Sequence, residues 1–421
     1  MERYSEYKDS GIQWIGEIPS HWEEGRIASL FTNRIFANID FRYKHAFKFY
    51  YGTLVLKNEV GKEDDFRETY VKYSVLERND IVINGLNLNY DFVSQRVAIA
   101  PSDGIITSAY ITIRPRKNTN ANYYLYFLKT MDNKKMFHGM GTGIRLTLSF
   151  DELKKHTIPI PPLTEQERIV KFLEGKVLKI DEYIADKERE IQLLKELKEA
   201  EIAKAVTQGL NPNVKMKDSG IPWIGLIPEH WEIARMKRIL QESKEKTEKE
   251  GGTLLSLSQY TGVTLKENAK KVGMFEAEST VGYNIVHPGQ FVMNIMLAWN
   301  GSYAVSDYEG IISPSYCIFN FQENCERKYF HFLLRLHSYA GAFKTMSKGI
   351  IESRLRLYPI YFLAFKTIIP PINEQRAIVE YINNKCSKVD SLITELEAEI
   401  EHLKEYKQRL IADCVTGQIK V

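Results

Sequence analysis

Residues suited to chemistry are few in this sequence, and the most conspicuous come in pairs. His21 and His230 each stand within P-x-H-W, 209 residues apart. An imidazole can serve as a base or a metal ligand. Here each is flanked by apolar residues: Trp14, Ile18, Pro19 and Trp22 in one copy, Trp223, Ile227, Pro228 and Trp231 in the other. That setting reads as an apolar clamp pinning a loop onto a domain, with the histidine a satisfied structural group. The sequence has no GxxxxGK[ST] loop, no HExxH and no GxSxG, so the common phosphate-binding, zinc-hydrolase and serine-nucleophile signatures are missing. The Gly-rich run GMGTG at 139–143 leads into IRLTLSFDEL and reads as a flexible loop. NPNV at 211–214 reads as a turn, without the aromatic that would stack on a flipped base. Asp64, Asp65, Asp151 and Glu152 form no acid–base pair that spacing alone reveals. Cys317, Cys325, Cys386 and Cys414 make no CxxC, so neither a disulfide nor a thiolate zinc site is expected. Catalytic and metal-ligating residues are expected to be none.

Recognition chemistry is better supplied. The loop NGLNLNY at 84–90 offers Asn84, Asn87, Asn89 and Tyr90, followed by Arg96. The Gly-rich loop adds Thr142 and Arg145. In the second half NIMLAWNGSY at 294–303 offers Asn294, Trp299, Asn300 and Ser302, and a later loop adds Lys348 and Arg354. Amides and guanidinium groups can pair with base edges, while lysines, arginines and hydroxyls hold phosphates. Each residue could instead be a solvated or strand-capping polar group. Arg145 and Arg354 share the 209-residue frame and are open to a structural role. The net charge of +3 conceals a partition: residues 165–205 carry −2 and 374–413 carry −3, leaving +8 for the remainder. Basic modules separated by acidic segments are compatible with a nucleic acid partner.

The elements that must position these loops are duplicated. KDSGIQWIGEIPSHWE at 8–23 returns as KDSGIPWIGLIPEHWE at 217–232, identical at 13 of 16 positions. IPPLTEQERIV at 160–170 returns in the same frame as IPPINEQRAIV at 369–379. A tandem repeat of this kind predicts a pseudo-twofold molecule with two similar modules. Within the modules DIVIN (80–84), AYITIRP (109–115), GQFVMNI (289–295) and YCIFNF (316–321) read as strands. NYYLYFLKTM (122–131) and KYFHFLLRLH (328–337) read as helices. The fold class is therefore α+β with a substantial antiparallel sheet.

Beyond the paired prolines, Ile180, Ile184, Ile191 and Leu194 in the first copy recur at helical steps. So do Ile382, Val389, Ile393, Leu396, Ile400, Leu403 and Leu410 in the second. Thr164 with Glu167 fits a capping box, and Asn373 an N-cap. The 3–4 alternation over four heptads predicts two long helices in an antiparallel coiled coil; a pair of core helices is the plainer alternative. Tyr183, Leu193, Leu197, Leu392 and Tyr406 widen the apolar stripe. They fit either docking by helices of another chain or packing on the chain's own modules. The boundaries expected are 1–160 and 211–369 for the modules, and 161–210 and 370–421 for the helices.

The doubled DSGI-x-WIG-x-IP-x-HWE, with PP-x-x-EQ opening a long heptad helix, resembles the specificity subunit family of type I restriction–modification systems. The resemblance runs over nearly the whole chain. It implies two target recognition domains, each reading half of a split duplex DNA sequence, and two antiparallel helices acting as a ruler between them. It also implies no catalytic centre and no cofactor in this chain. S-adenosylmethionine, Mg²⁺ and ATP would belong to two methyltransferase and two restriction/translocase subunits that assemble on it. The divergence between the modules implies an asymmetric target. A single-chain restriction–modification enzyme fragment and a coiled-coil scaffold without DNA binding are the alternatives. The first is disfavoured by the missing methyltransferase and NTPase motifs, the second by the basic modules and Asn-rich loops. No run approaches a membrane-spanning length and the start has no signal-peptide pattern, so a cytoplasmic protein is expected.

Overall fold

The computed structural model describes residues 2–58, 63–144, 146–268, 279–351 and 354–421. They gather into two compact units, Met1–Glu188 with Glu397–Val421, and Arg189–Leu396.

In the first unit Phe31–Asn33 (β1), Ile81–Ile83 (β2), Val97–Ile99 (β3) and Ile111–Pro115 (β4) form an antiparallel sheet in the order β1-β4-β2-β3. The register sets Ile111 opposite Ile83 and Ile113 opposite Ile81. All three residues of β2 are buried, because both faces of the sheet are covered. Ile81, Ile83 and Ile113 pack with Tyr123 and Phe127 of the helix Ala121–Asn133 (α1). Val82 and Ala98 point the other way, against Phe47 and Leu54 of a small hairpin. Period-two alternation of strand side chains dictates that division.

The chain then enters Leu163–Gln208 (α2), a helix of 46 residues, hence about 69 Å at 1.5 Å per residue. The second unit repeats the plan. Leu240–Ser243 (β5), Phe291–Asn294 (β6), Tyr303–Val305 (β7) and Tyr316–Phe321 (β8) run β5-β8-β6-β7, all antiparallel. Phe291 and Met293 face Tyr329 and Phe330 of Arg327–Leu334 (α3), whereas Val292 and Ala304 face Leu255, Leu257 and Val263. The helix Ile372–Val415 (α4) closes the chain.

Within each unit the segments of α2 and α4 run antiparallel, since partner numbers fall on one helix as they rise on the other. In the first unit Lys407 pairs with Asp181 and Lys187 with Glu399. In the second Lys198 pairs with Asp390, and the Tyr381 hydroxyl donates to Glu201 at 2.7 Å. Ile184, Ile191, Ile382, Leu396, Ile400 and Leu410 are buried, as the heptad reading requires. Such exposed ion pairs each contribute only about 0–1 kcal/mol, so the apolar seam is what holds the segments together.

One expectation fails. The helices begin at Leu163 and Ile372, which puts Thr164 and Asn373 inside the first turn rather than at an N-cap. The prolines take that place. The Pro162 carbonyl accepts from Glu165 N (2.8 Å) and Gln166 N (3.0 Å), and the Pro371 carbonyl from Glu374 N (2.9 Å) and Gln375 N (3.0 Å). A proline's fixed φ suits a helix start, and the N–H it lacks would have been unpaired there.

Candidate nucleic-acid interface

The repeated motifs fasten each module to the helices. The Glu165 carboxylate accepts hydrogen bonds from Trp22 Nε1 (2.9 Å), His21 Nε2 (2.8 Å) and the Tyr4 hydroxyl (3.1 Å). Burial pushes this carboxyl up, but the bonds from Trp22 and His21 outweigh it and hold the group below its ordinary value. Next to it the buried Gln166 donates to the Pro161 carbonyl (2.8 Å) and accepts from Asn120 N (2.9 Å), at the N-cap of α1. The second unit copies the arrangement. Glu374 accepts from Trp231 Nε1 (2.9 Å) and His230 Nε2 (2.6 Å). Gln375 donates to the Pro370 carbonyl (2.7 Å) and accepts from Glu326 N (2.8 Å), at the N-cap of α3. The helix ends are held too: Tyr123 donates to the Val415 carbonyl and Tyr329 to the Val206 carbonyl, each at 2.8 Å. His21 and His230 are therefore structural donors, and Trp22 and Trp231 are fully buried.

On this base the first module presents two loops that are knit together. Leaving β2, the chain forms a loop from Asn84 to Arg96 built around one guanidinium. Arg96 is 1% exposed; its two terminal nitrogens donate to the carbonyls of Asn84 (3.1 Å), Leu86 (2.8 Å), Asn87 (3.5 Å) and Asp91 (2.8 Å). Asp91 turns the far side of the loop by accepting from Val93 N (3.0 Å) and Ser94 N (2.9 Å). The bond from Ser94 in particular holds its carboxyl below the usual range. Leu148 N donates to the Gly85 carbonyl (2.9 Å) and Leu88 N to the Leu146 carbonyl (3.2 Å), which joins this loop to the Gly-rich one. Gly85 is needed there, because a β-carbon would stand 2.5 Å from the Leu148 carbonyl oxygen.

Of the residues expected to read DNA in this module, Asn87, Tyr90 and Thr142 are exposed, Tyr90 at 77%. Asn84 and Asn89 are half-buried; Asn84 caps Leu86 N (3.2 Å) and Asn89 reaches the Ile144 carbonyl (3.4 Å). Thr142 donates to Glu152. Arg96 holds the loop's shape instead of facing solvent. Arg145 lies outside the described residues. Sequence reading passed over Phe92, Val93 and Ile144, exposed at 55%, 88% and 98% at the two tips. Apolar residues in a loop rich in Asn and Gly were the available signal.

The second module builds its surface differently. Asn294 is buried and accepts from Met296 N (2.9 Å). Trp299 is half-buried, donates to the Met296 carbonyl (3.0 Å) and carries the Lys344 ammonium 5.6 Å from its ring centre. Buried Ser302 donates to the half-buried Asn300 at 2.8 Å. Lys348 and Arg354 are exposed on the later loop, which is pinned by paired hydrogen bonds between Lys348 and Arg356. Leu357 N donates to the Ile295 carbonyl (2.9 Å) and joins the two loops. Among the described residues, the structure thus brings each set of expected residues, Arg145 apart, into one pair of joined loops per module.

Residues 19–193 match the family model for the type I restriction modification DNA specificity domain. The chain is 24% identical over 376 residues to the type I restriction enzyme MjaVIII specificity subunit of Methanocaldococcus jannaschii, covering 83% of this chain and 81% of that one. It is 25% identical over 335 residues to the putative MjaX specificity subunit of the same organism, covering 74% and 71%. The matched domain and these relatives make the chain similar to type I restriction enzyme specificity subunits. Solved structures share the fold. A chain from work on complex assembly and conformational transition of the type I R-M system superposes with a TM-score of 0.64 at 13% identity, over 96% of this chain and 99% of that one. The HsdS subunit from Thermoanaerobacter tengcongensis gives 0.51 at 14% identity, over 96% and 98%.

On the long helices of this chain, Tyr183, Leu193, Leu197, Leu392 and Tyr406 are exposed at 46%, 58%, 50%, 47% and 49%. The Tyr183 hydroxyl donates to Glu399 (3.2 Å), which leaves its ring outward. Among the described residues, no helix is long and apolar enough to cross a membrane.

Proposed function

We propose that this chain is the non-catalytic DNA-specificity subunit of a type I restriction–modification complex. Each module reads one half of a bipartite, asymmetric duplex target. The paired helices set the spacing and dock two methyltransferase subunits through their exposed apolar side chains, and two restriction/translocase subunits join for cleavage. S-adenosylmethionine, Mg²⁺ and ATP are bound by those partners. The observation that carries the reading is the contrast between what repeats and what does not. The Trp–His–Glu–Gln fastening recurs atom for atom in both units. The loops at 84–96 and 294–302 share a position on the sheet and an opening Asn that caps the amide two residues on. Beyond it they differ: Arg96 gathers four carbonyls in one, and Ser302 donates to Asn300 in the other.

In this reading Asn87, Tyr90 and Thr142 in one module, and Asn300, Lys348 and Arg354 in the other, meet the DNA. Arg96, Asn294 and Ser302 act by holding loops in shape. The decisive experiment is co-purification with a type I methyltransferase subunit from the same source, followed by mapping of adenine methylation. Methylation of a single split sequence that requires both proteins is expected. No methylation by the pair would reject the proposal, and methylation by this chain alone would make it an enzyme.

A further inference from the structure

Beyond an opening Asn and the Leu88/Leu297 pair the two reading loops diverge, but the hairpin beside each one carries residues that recur. In the first unit Phe47–Tyr50 pairs with Thr53–Leu56, and in the second Leu255–Ser258 pairs with Gly262–Leu265. Tyr51, Leu56 and Lys57 return as Tyr260, Leu265 and Lys266, in the 209-residue frame of the repeated motifs. Tyr51 and Tyr260 sit in the turns, 69% and 83% exposed. An aromatic ring so exposed contributes little to a core, so its recurrence calls for another cause.

Both turns are held firmly. Thr53 donates to the Tyr50 carbonyl (2.7 Å), and Ser258 accepts from Tyr260 N (3.0 Å). The Tyr50 ring meets Tyr51 edge-on at 4.8 Å. Each turn is also seated beside the strand that follows its reading loop. A β-carbon on Gly52 would stand 2.7 Å from Gln95 Cβ at the end of the reading loop and 3.6 Å from the Val97 carbonyl oxygen in β3, and one on Gly262 3.1 Å from Ala304 Cβ in β7. Arg335 ties the second turn down, donating to the Gln259 carbonyl (2.6 Å) and the Tyr303 carbonyl (3.0 Å). The surrounding charge suits an anion. Residues 41–57 contain four Lys/Arg and no Asp/Glu, and residues 251–266 contain Lys266 and no Asp/Glu.

We infer that Tyr51 and Tyr260 are a matched pair of duplex-DNA contacts that grip the sugar–phosphate backbone beside each half-site, whatever its sequence. A side chain identical in both modules cannot distinguish two different half-sites. What differing half-sites have in common is the backbone, which tyrosine can meet with its ring on a deoxyribose and its hydroxyl donated to a phosphate oxygen. The inference rests on the DNA-specificity reading above.

The test uses the complex of this chain with its methyltransferase, at fixed salt because phosphate contacts are salt-dependent. Affinity is measured for a duplex carrying the mapped target and for a scrambled duplex. Tyr51→Ala and Tyr260→Ala should each weaken binding to both duplexes by the same factor, roughly ten- to a hundredfold for loss of a hydrogen bond to a charged group. The double variant should multiply the two losses. Tyr→Phe should retain the part due to the ring, and the methylated sequence should not change. Unchanged affinity for both duplexes, or an altered methylated sequence, would overturn the assignment. A wild-type complex that shows no sequence preference would instead overturn the specificity reading itself, and this pair with it.

Discussion

Glu165 gathers one indole, one imidazole and one phenol onto a single carboxylate, the first two from the adjacent Trp22 and His21 and the third from Tyr4. Replacing it with glutamine keeps the shape but sets an amide N–H₂ against those donors and removes the charge. A loss of about 1.5–3 kcal/mol is expected, read as a lower Tm with an unchanged methylation sequence. The group also fixes an acid response. Its folded pKa lies below the unfolded value, so its contribution is complete above the ordinary glutamate range, about 4.3. That contribution fades as pH falls from there through the folded value. Glu165→Gln should therefore flatten the acid side of the stability curve while leaving its neutral side lower by a constant amount. A curve parallel to wild type down to pH 3 would contradict the argument. Arg96 carries a different expectation. Arg96→Met strips the donor from four carbonyls of the reading loop, each costing about 1–3 kcal/mol if left buried and unpaired. The methylated half-site assigned to the first module should become degenerate while the other stays sharp; blurring of both would place Arg96 outside the reading of one half.

At the scale of elements, the periodic parts were legible and the joints were not. Strands at 80–84, 109–115, 289–295 and 316–321 and the two long helices follow from side-chain period, and the structure places them there. The helix starts were misread because a Thr–Glu pair three apart resembles a capping box, whereas the prolines just before already supply the turn. The role of the EQ pair was hidden for another reason. Its partners lie 143 and 144 residues away for the glutamate, and 46 and 49 away for the two glutamines. Only the co-repetition of both motifs at one spacing hinted at contact. Arg96 was visible as a residue but not as buried, since nothing local marks four carbonyls converging on it. The helix ends allow a ranked prediction. Gly209 and Gly417 both adopt φ near +75° after a helix, where a side chain costs about 1 kcal/mol. A β-carbon at Gly417 would also stand 2.4 Å from Pro19, against 3.2 Å from Trp231 at Gly209. Gly417→Ala should lower the Tm clearly more than Gly209→Ala, and equal shifts would refute the ranking.

For the whole molecule the acidic and basic parts are separated along the sequence, with the helices carrying the negative balance and the modules the positive one. That arrangement keeps phosphate attraction on the modules. Each long helix contributes residues to both units, so helix length is a variable that an experiment can alter without touching either reading loop. Seven residues inserted into α2 and seven into α4, near 188 and 396, preserve the 3.5-residue seam and lengthen each helix by about 10 Å. At about 3.4 Å per base-pair step, the spacer of the methylated target should grow by roughly three base pairs, with both half-site sequences unchanged. The same insertion in one helix alone breaks the seam's register and should abolish methylation instead of moving it. Mapping of methylated adenines in cells carrying each variant reads all of this at once. An unchanged spacer in the double insertion would mean that the helices do not measure the distance between half-sites, whatever else they hold.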